Sequence, residues 1–361
     1  MVLPSLVMGG MERMVAQLAL RLHARNWTVG VTCVSDEGEL FADLHDQGIA
    51  VRLNSVGTGA WLGPRSLVRQ LTRDKPAVLH THSGFWLRGM MAGVRARIAR
   101  RLHTVHGLYI PEPWTFPVEI KIAGRLSTRI VAVSHEIRRH LLNRGALAER
   151  HVTVIPNGVD TDTFQPGRRS GLRERHGIPT DAVVVGTVAR LNEIKNLVMV
   201  IATVAACSRH GLDIHFVAVG DGPDRERLDA VAARCGVTDR VHITGMVTTT
   251  NAWYREFDYF VNSSFKEGTS LSVLEAMATG LPCVATDVGG NSDVLAAGDA
   301  GVLVPSDDVA AMTEAFVALN RDPARRQTLG LAARRRAVGH YSLDAMVSSY
   351  ERLYVGEAAL G

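Results

Sequence analysis

The stretch "SFKEGTSLSVLEAMATGLPCVAT", Ser264 to Thr286, carries the pattern from which the rest of the chain can be read. Immediately upstream, "FDYFVNSS" is a short apolar run. Downstream, apolar residues recur at Leu271, Val273, Leu274 and Met277 before Gly280-Leu281-Pro282. This order reads as strand, turn, helix and stop. It puts Glu267 in a loop and Glu275 on the helix that follows.

The same alternation extends outward through both halves of the chain. The first half offers "VLPSL", "WTVGVTCV", "AVRLN", "AVLHTH", "RLHTV", "RIVAVS" and "VTVIP" as strands, with helical stretches such as Met11 to Arg25 between them. The second offers "AVVVGTV", "IHFVAVG", "RVHITG", "YFVNSS", "PCVAT" and "GVLVP". Apolar strands alternating with helices imply an α/β fold with parallel sheets covered on both faces, and 361 residues suffice for two such domains. The expectation is two doubly wound, Rossmann-like domains facing a cleft, because ligands of open parallel sheets bind beyond the carboxyl ends of the strands. The turn-rich segment "VIPNGVDTDTFQP" (Val154 to Pro166) divides the chain into domains 1–157 and 158–342. The apolar positions Leu343, Met346, Val347, Tyr350, Leu353 and Tyr354 predict a last helix, 343–358, that packs back on the first domain. The opening strand is short for a central one and contains Pro4, so residues upstream of Met1 are expected to complete it.

Composition excludes several classes. With 46% hydrophobic and 21% charged residues the chain is an ordinary globular protein. No apolar run reaches membrane-spanning length and the start lacks the features of a signal peptide, so a cytoplasmic protein is expected. Cys33, Cys207, Cys235 and Cys283 are too scattered for a zinc site or disulfide framework and read as small buried hydrophobes. Charge is uneven: residues 1–157 hold 20 Lys and Arg against 11 Asp and Glu, and residues 158–361 hold 20 against 25. The densest basic run, Arg95, Arg97, Arg100 and Arg101, is either solvated surface or a contact for an anionic membrane or acceptor.

Four local features suit phosphate and sugar binding. Gly9-Gly10 in "MGGMER" precede a helix whose N–H groups could receive an anion. In "GTVARLNEIKN", Arg190 and Lys195 follow an apolar strand, where two cations can clamp a diphosphate. Gly268, Thr269, Ser270 and Leu271 supply backbone donors and hydroxyls at a helix start, flanked by carboxylates able to accept from vicinal hydroxyls. His106-Gly107 in "HTVHGLY" ends a strand, where an imidazole can donate to a sugar hydroxyl or assist charge development. Two further motifs point elsewhere. "DTD" (Asp160 to Asp162) mimics a metal motif but falls in the linker as an acidic turn, and His80 and His82 share a strand face without an evident third ligand.

Taken together the chain resembles glycosyltransferase family 4, the retaining nucleotide-sugar glycosyltransferases of the GT-B fold. The resemblance rests on the E-x7-E motif Glu267 to Glu275 with "EAMATGLPCVATDVGGN", on "RLNEIK", on "GDGP" (Gly220 to Pro223) and on "IPNGVD". It implies that Arg190 and Lys195 hold the donor diphosphate, Glu275 the ribose and Glu267 the transferred sugar. Gly268, Thr269, Ser270 and Leu271 would line the phosphates, with Gly10 facing them from the other domain. His106 would lie beside the sugar and the Gly245-Met246 loop beside the base. The family reading implies hexosyl transfer from a UDP- or GDP-sugar to a glycan or lipid-linked acceptor in cell-surface polysaccharide or glycolipid synthesis. It implies no metal and no other cofactor; no nucleic-acid partner is expected, and the basic first half suits peripheral contact with an anionic membrane. Where the family often has Gly-Phe-Gly after the first glutamate, this chain has Gly268-Thr269-Ser270.

Two alternatives come from other classes. An NAD-dependent oxidoreductase would want Gly-x-Gly-x-x-Gly, whereas "GDGPDR" has Arg225 at the third position. A non-catalytic nucleotide-sugar-binding protein would have no need of both glutamates, both cations and His106.

Overall fold

The computed structural model describes residues 1–55, 64–107, 116–145 and 147–356. It divides into two compact units. One contains Met1–Gly158 together with the segment from Leu343 onward, and the other Val159–Ser342.

The first unit is built on seven parallel strands: β1 (Val2–Leu3), β2 (Gly30–Cys33), β3 (Ala50–Leu53), β4 (Val78–His82), β5 (Arg100–Val105), β6 (Arg129–Ala132) and β7 (Val152–Val154), in the order β3-β2-β1-β4-β5-β6-β7. The second has six: β8 (Val183–Val188), β9 (Ile214–Val219), β10 (Val241–Ile243), β11 (Tyr259–Asn262), β12 (Cys283–Thr286) and β13 (Val302–Val304), in the order β10-β9-β8-β11-β12-β13. Each sheet therefore reverses direction once, at β1/β4 and at β8/β11, and loops leaving the carboxyl ends of those pairs diverge to leave a crevice. Both sheets are α/β and Rossmann-like.

Strand sequence explains burial. In β8, Val184 joins Phe260, Leu274 and Met277 on one face, while Val185 joins Phe216, Val261 and Phe316 on the other. A strand buried on both faces needs an unbroken apolar run, which "AVVVGTV" supplies.

The first strand is shorter than its sequence suggests. Only Val2 and Leu3 pair, with Thr32 and Cys33 of β2, and Val2 with Thr81 of β4. Pro4 has no N–H to extend the ladder, and its carbonyl instead accepts from Val34 and Ser35. One expectation about cysteine is corrected: Cys33, Cys207 and Cys283 are buried, but Cys235 is exposed at the last turn of helix Arg225–Cys235.

The helix Leu343–Val355 belongs to the first unit, held by its polar as well as its apolar face. Arg25 bonds Glu351 at 2.5 Å and Asp344 at 3.0 Å, and the Trp27 indole donates to Glu351. On the buried side, the Tyr354 hydroxyl lies 2.6 Å from His80 Nδ1, Thr104 Oγ1 lies 2.8 Å from His80 Nε2, and the Tyr350 hydroxyl lies 3.1 Å from Thr104. His80 thus spends both ring nitrogens on hydroxyls, which removes it as a metal ligand. No group of three or more His, Cys, Asp or Glu able to hold a metal occurs among the described residues. In the linker, Asp160 Oδ1 accepts from the N–H groups of Asp162 and Thr163, an Asx turn.

The basic run lies at the amino end of β5, the end away from His106. Arg101 caps the carbonyls of Ile98, Ala99 and Leu126, and Arg100 that of Tyr354. Two of its four cations are therefore committed to carbonyls at helix ends and in the loop before β5 rather than to an acceptor. Among the described residues no helix is long and apolar enough to cross a membrane.

Candidate active site

In the second unit the predicted donor residues gather on the loops after β8 and β11, the two strands of the sheet reversal. The β8 loop is fixed by backbone pairing. Ala189 N–H donates to Val219, Leu191 N–H to Asp221 and Asp224 N–H to Leu191, at 2.9–3.1 Å. This close approach is why Gly220 and Gly222 are glycines: a Cβ at either would overlap the Ala189 or Leu191 carbonyl, and Gly220 has φ +139°. The glycines of "GDGP" thus serve the neighbouring loop, and Arg225 opens the next helix.

The β8 and β11 loops are then joined. Phe265 N–H donates to Ile194, and Ser263 Oγ to the Lys195 carbonyl. Lys195 Nζ meets Glu267 Oε1 at 2.6 Å, and the same oxygen accepts from Asn262 Nδ2 at 3.0 Å and Ser264 Oγ at 2.7 Å. Three donors on one oxygen of a side chain only 10% exposed lock its orientation and leave Oε2 as the acceptor for any further donor. Asn262 is itself held by Asn291, which also donates to the Thr286 carbonyl, while Thr286 Oγ1 donates to the Ser264 carbonyl.

Beneath this cluster, the loop after β12 supports Glu267 from the backbone side. Gly290 N–H donates to Gly268, and Gly289, with φ +60°, lies so near Glu267 that a Cβ would overlap its carbonyl. Gly289→Ala is expected to cost about 1–2 kcal/mol from the left-handed conformation alone, lowering Tm by roughly 2–8 °C. Because the overlap is with backbone, it should also displace Glu267 and cut donor turnover by more than about tenfold. Calorimetry and donor-hydrolysis rates on the same sample check both halves.

The helix Leu271–Ala278 starts at Ser270, which is extended (φ −70°, ψ 114°) and makes no side-chain cap. Its first-turn N–H groups therefore have no capping oxygen from Ser270 and present the positive helix end. Thr269 and Ser270 are buried. Glu275, at 4% exposure, is the acceptor of the Tyr254 hydroxyl at 2.6 Å. Arg190 is exposed on the β8 loop. Gly245, with φ +75°, bridges Gly220, and Met246 beside it is 69% exposed.

In the first unit Gly9 caps the helix Gly10–Ala24, and the Glu12 carboxylate folds against Gly9, where a Cβ would overlap it. Burial raises the pKa of Glu12 and a backbone hydrogen bond opposes that rise. The positive end of this helix is thus already met by the chain's own carboxylate, a neighbour of Gly10 that the Gly-Gly reading overlooked. His106 follows β5 and pairs through Nε2 with Nδ1 of His82, at the end of β4, at 3.0 Å. Burial pushes His106 down to about 3 and His82 well below the usual histidine range, so both rings are neutral at pH 7. Leu108 and Tyr109 of "HTVHGLY" lie outside the described residues.

Lys195, Glu267, Gly268, Thr269, Ser270 and Leu271 are brought together directly. Asn262, Ser264, Gly289 and Asn291 around Glu267, Tyr254 on Glu275 and, in the first unit, His82 on His106 were not expected as supports. A sequence signal existed for Asn262, Ser264 and Thr286: polar residues where an apolar strand reaches its carboxyl end.

Comparison with known proteins follows the same lines. A family model described as Glycosyltransferase Family 4 matches residues 8–163, and one described as Glycosyl transferases group 1 matches 182–322. A D-inositol 3-phosphate glycosyltransferase of Geodermatophilus obscurus is 31% identical, over 97% of this chain and 85% of that protein. The UDP-Gal:alpha-D-GlcNAc-diphosphoundecaprenol alpha-1,3-galactosyltransferase of Escherichia coli is 27% identical over 80% of this chain and 78% of its own. Among solved structures, HepE of Anabaena in complex with UDP superimposes with TM-score 0.85 at 19% identity, covering 98% of both chains. WaaG, a glycosyltransferase involved in lipopolysaccharide biosynthesis, gives 0.74 at 16%, covering 99% of this chain and 100% of its own. These two share the GT-B fold, and the sequence matches show that the chain belongs to glycosyltransferase family 4.

Proposed function

We propose that the protein is a retaining, metal-independent hexosyltransferase that takes its sugar from a UDP- or GDP-linked donor and gives it to a hydroxyl of a glycan or lipid-linked acceptor. The observation that carries this reading is the Lys195–Glu267 pair beside the open start of helix Leu271–Ala278 at the β8/β11 reversal.

In this reading Arg190, Lys195 and the N–H groups of Thr269 to Leu271 hold the donor diphosphate. Oε2 of Glu267 accepts from a hydroxyl of the transferred sugar, and Glu275, steadied by Tyr254, accepts from the ribose. Met246 borders the base. The family resemblance assigns Gly10 and His106 of the first unit to the phosphates and the sugar. As the C1–O bond breaks, charge accumulates on the leaving diphosphate, where cations and helix amides are already oriented. The acceptor hydroxyl forms the new bond from the same face, and its proton passes to the departing phosphate oxygen, so configuration is kept and no enzyme nucleophile is used.

The relatives support the substrate class: the E. coli protein is named for UDP-galactose and a diphosphoundecaprenol-linked acceptor, and HepE has been solved with UDP-glucose. Synthesis of cell-surface polysaccharide or glycolipid at the cytoplasmic face of a membrane fits both, and the basic excess of residues 1–157 supports peripheral contact with anionic lipid.

The test is a panel of UDP-, GDP- and ADP-sugars incubated with EDTA and no added metal, with the anomer of the product assigned by NMR. One donor should be consumed at an undiminished rate and its anomeric configuration kept. Inversion, or loss of all turnover on chelation, would overturn the mechanism. Sedimentation with anionic liposomes at low salt checks the membrane contact.

A further inference from the structure

The His82–His106 pair leaves one unusual remainder. Nδ1 of His82 and Nε2 of His106 share a hydrogen bond at 3.0 Å, with ring centroids 5.3 Å apart. The other nitrogens, His82 Nε2 and His106 Nδ1, are both buried and have no partner among the described residues. Neighbouring histidines are different: His80 uses both nitrogens, and His103 Nδ1 bonds Thr81.

We infer that His82 is a positioning residue that fixes His106 as the tautomer protonated on Nδ1, so that His106 offers an N–H to a hydroxyl oxygen of the transferred sugar. This rests on the reading above that His106 touches that sugar.

Two neutral rings carry two protons on four nitrogens, and one proton lies in the shared bond. If His106 donated that proton from Nε2, His82 would carry its own on Nε2, a buried N–H with nothing to receive it. If His82 donates from Nδ1, its Nε2 is only an unfilled acceptor, and the remaining proton lies on His106 Nδ1. Each arrangement leaves one buried N–H and one acceptor without a partner, so the two differ only in which ring carries the N–H, the costlier orphan. His82 is fully buried, whereas His106 as a residue is partly exposed, so only an N–H on His106 can gain an acceptor when a ligand arrives, which favours the second arrangement. A sugar oxygen then supplies what His106 Nδ1 lacks.

The experiment is a long-range ¹H–¹⁵N correlation spectrum of the full chain labelled at histidine nitrogen, assigned with His106→Ala and His82→Leu. His106 should show a protonated Nδ1 and a bare, hydrogen-bonded Nε2, with His82 protonated on Nδ1. A His106 protonated on Nε2 overturns the proposal. In His82→Leu, His106 should revert toward Nε2–H, and kcat for donor turnover should fall about tenfold or more with KM unchanged. His82→Asn, whose amide nitrogen can occupy the Nδ1 position and donate to His106, should recover kcat to within a few fold. An Asn variant as impaired as the Leu variant, or a Leu variant with wild-type kcat, would sink the idea. If His82→Leu does not fold, the wild-type spectrum and the Asn variant still decide. Should His106→Ala leave turnover intact, the sugar contact of His106 fails, while the spectrum continues to report the pairing by itself.

Discussion

Glu267→Ala is expected to lower kcat for donor turnover by about 10²–10³, the size of effect seen when one preorganised polar contact to a reacting centre is removed. The carboxylate does two things. Through Oε1 it gathers Lys195, Asn262 and Ser264, and through Oε2 it is assigned to the sugar. Deleting it leaves three donors without their acceptor and the sugar without its anchor. It also frees Lys195 from its ion pair, so affinity for the nucleoside diphosphate alone should hold or rise even as turnover collapses. This split, measured by calorimetric titration of UDP and GDP beside donor-hydrolysis rates, distinguishes loss of the sugar contact from general collapse of the site. Glu267→Gln sharpens it: the amide oxygen can still face Lys195, so Tm should stay near wild type while kcat falls. A Glu267→Ala protein that turns over donor at the wild-type rate would remove Glu267 from the mechanism.

The sequence made the strands and their order in the chain legible because the central ones are apolar runs buried on both faces, and punctuation by Gly, Pro and Asn marked where they end. The E-x7-E spacing likewise placed one glutamate on a loop and the other on a helix, as found. What could not be read was what holds them. Asn262 and Asn291 are far apart in the chain and meet only because β11 and β12 are neighbours in the sheet. Gly289 looks like one more turn glycine until Glu267 is seen against it. Glu12 reads as an ordinary first-turn acid, and only the structure puts its carboxylate against Gly9. Cys235 resembled the other cysteines by type, yet the helix that carries it turns that position outward. His82 was noticed as half of a metal pair with His80, because alternation along one strand is visible in sequence. Its actual partner follows the neighbouring strand, a register-dependent fact.

The same histidines predict acid sensitivity of the first unit. His80, His82, His103 and His106 cluster at β4 and β5, and burial is the first cause of the depression in all four, well below 6.5 for the first three and down to about 3 for His106. A histidine that takes up a proton when unfolded but not when folded gives stability that is complete above its unfolded pKa and is lost as pH falls toward its folded one. The window therefore opens near pH 6.5 and, for His106, extends to about 3. A group that stays neutral in the fold costs about 1.4 kcal/mol per pH unit, which for His106 is about 2 kcal/mol by pH 5. The other three act in the same direction, so the first unit's stability falls as the pH drops below 6.5. The second unit has a smaller burden, His215 and His242, the latter lowered to about 4. Acidification from pH 7.5 to 5 should accordingly unfold the first unit before the second, seen by hydrogen exchange as early loss of protection in peptides covering β4 and β5. His103→Asn, whose amide can keep the bond that Nδ1 makes to Thr81, should reduce the pH slope of the first unit's stability by about one proton. A first unit whose stability is flat between pH 7.5 and 5 would mean that these rings are protonated in the fold, and with that the neutral pairing of His82 and His106 would fall too.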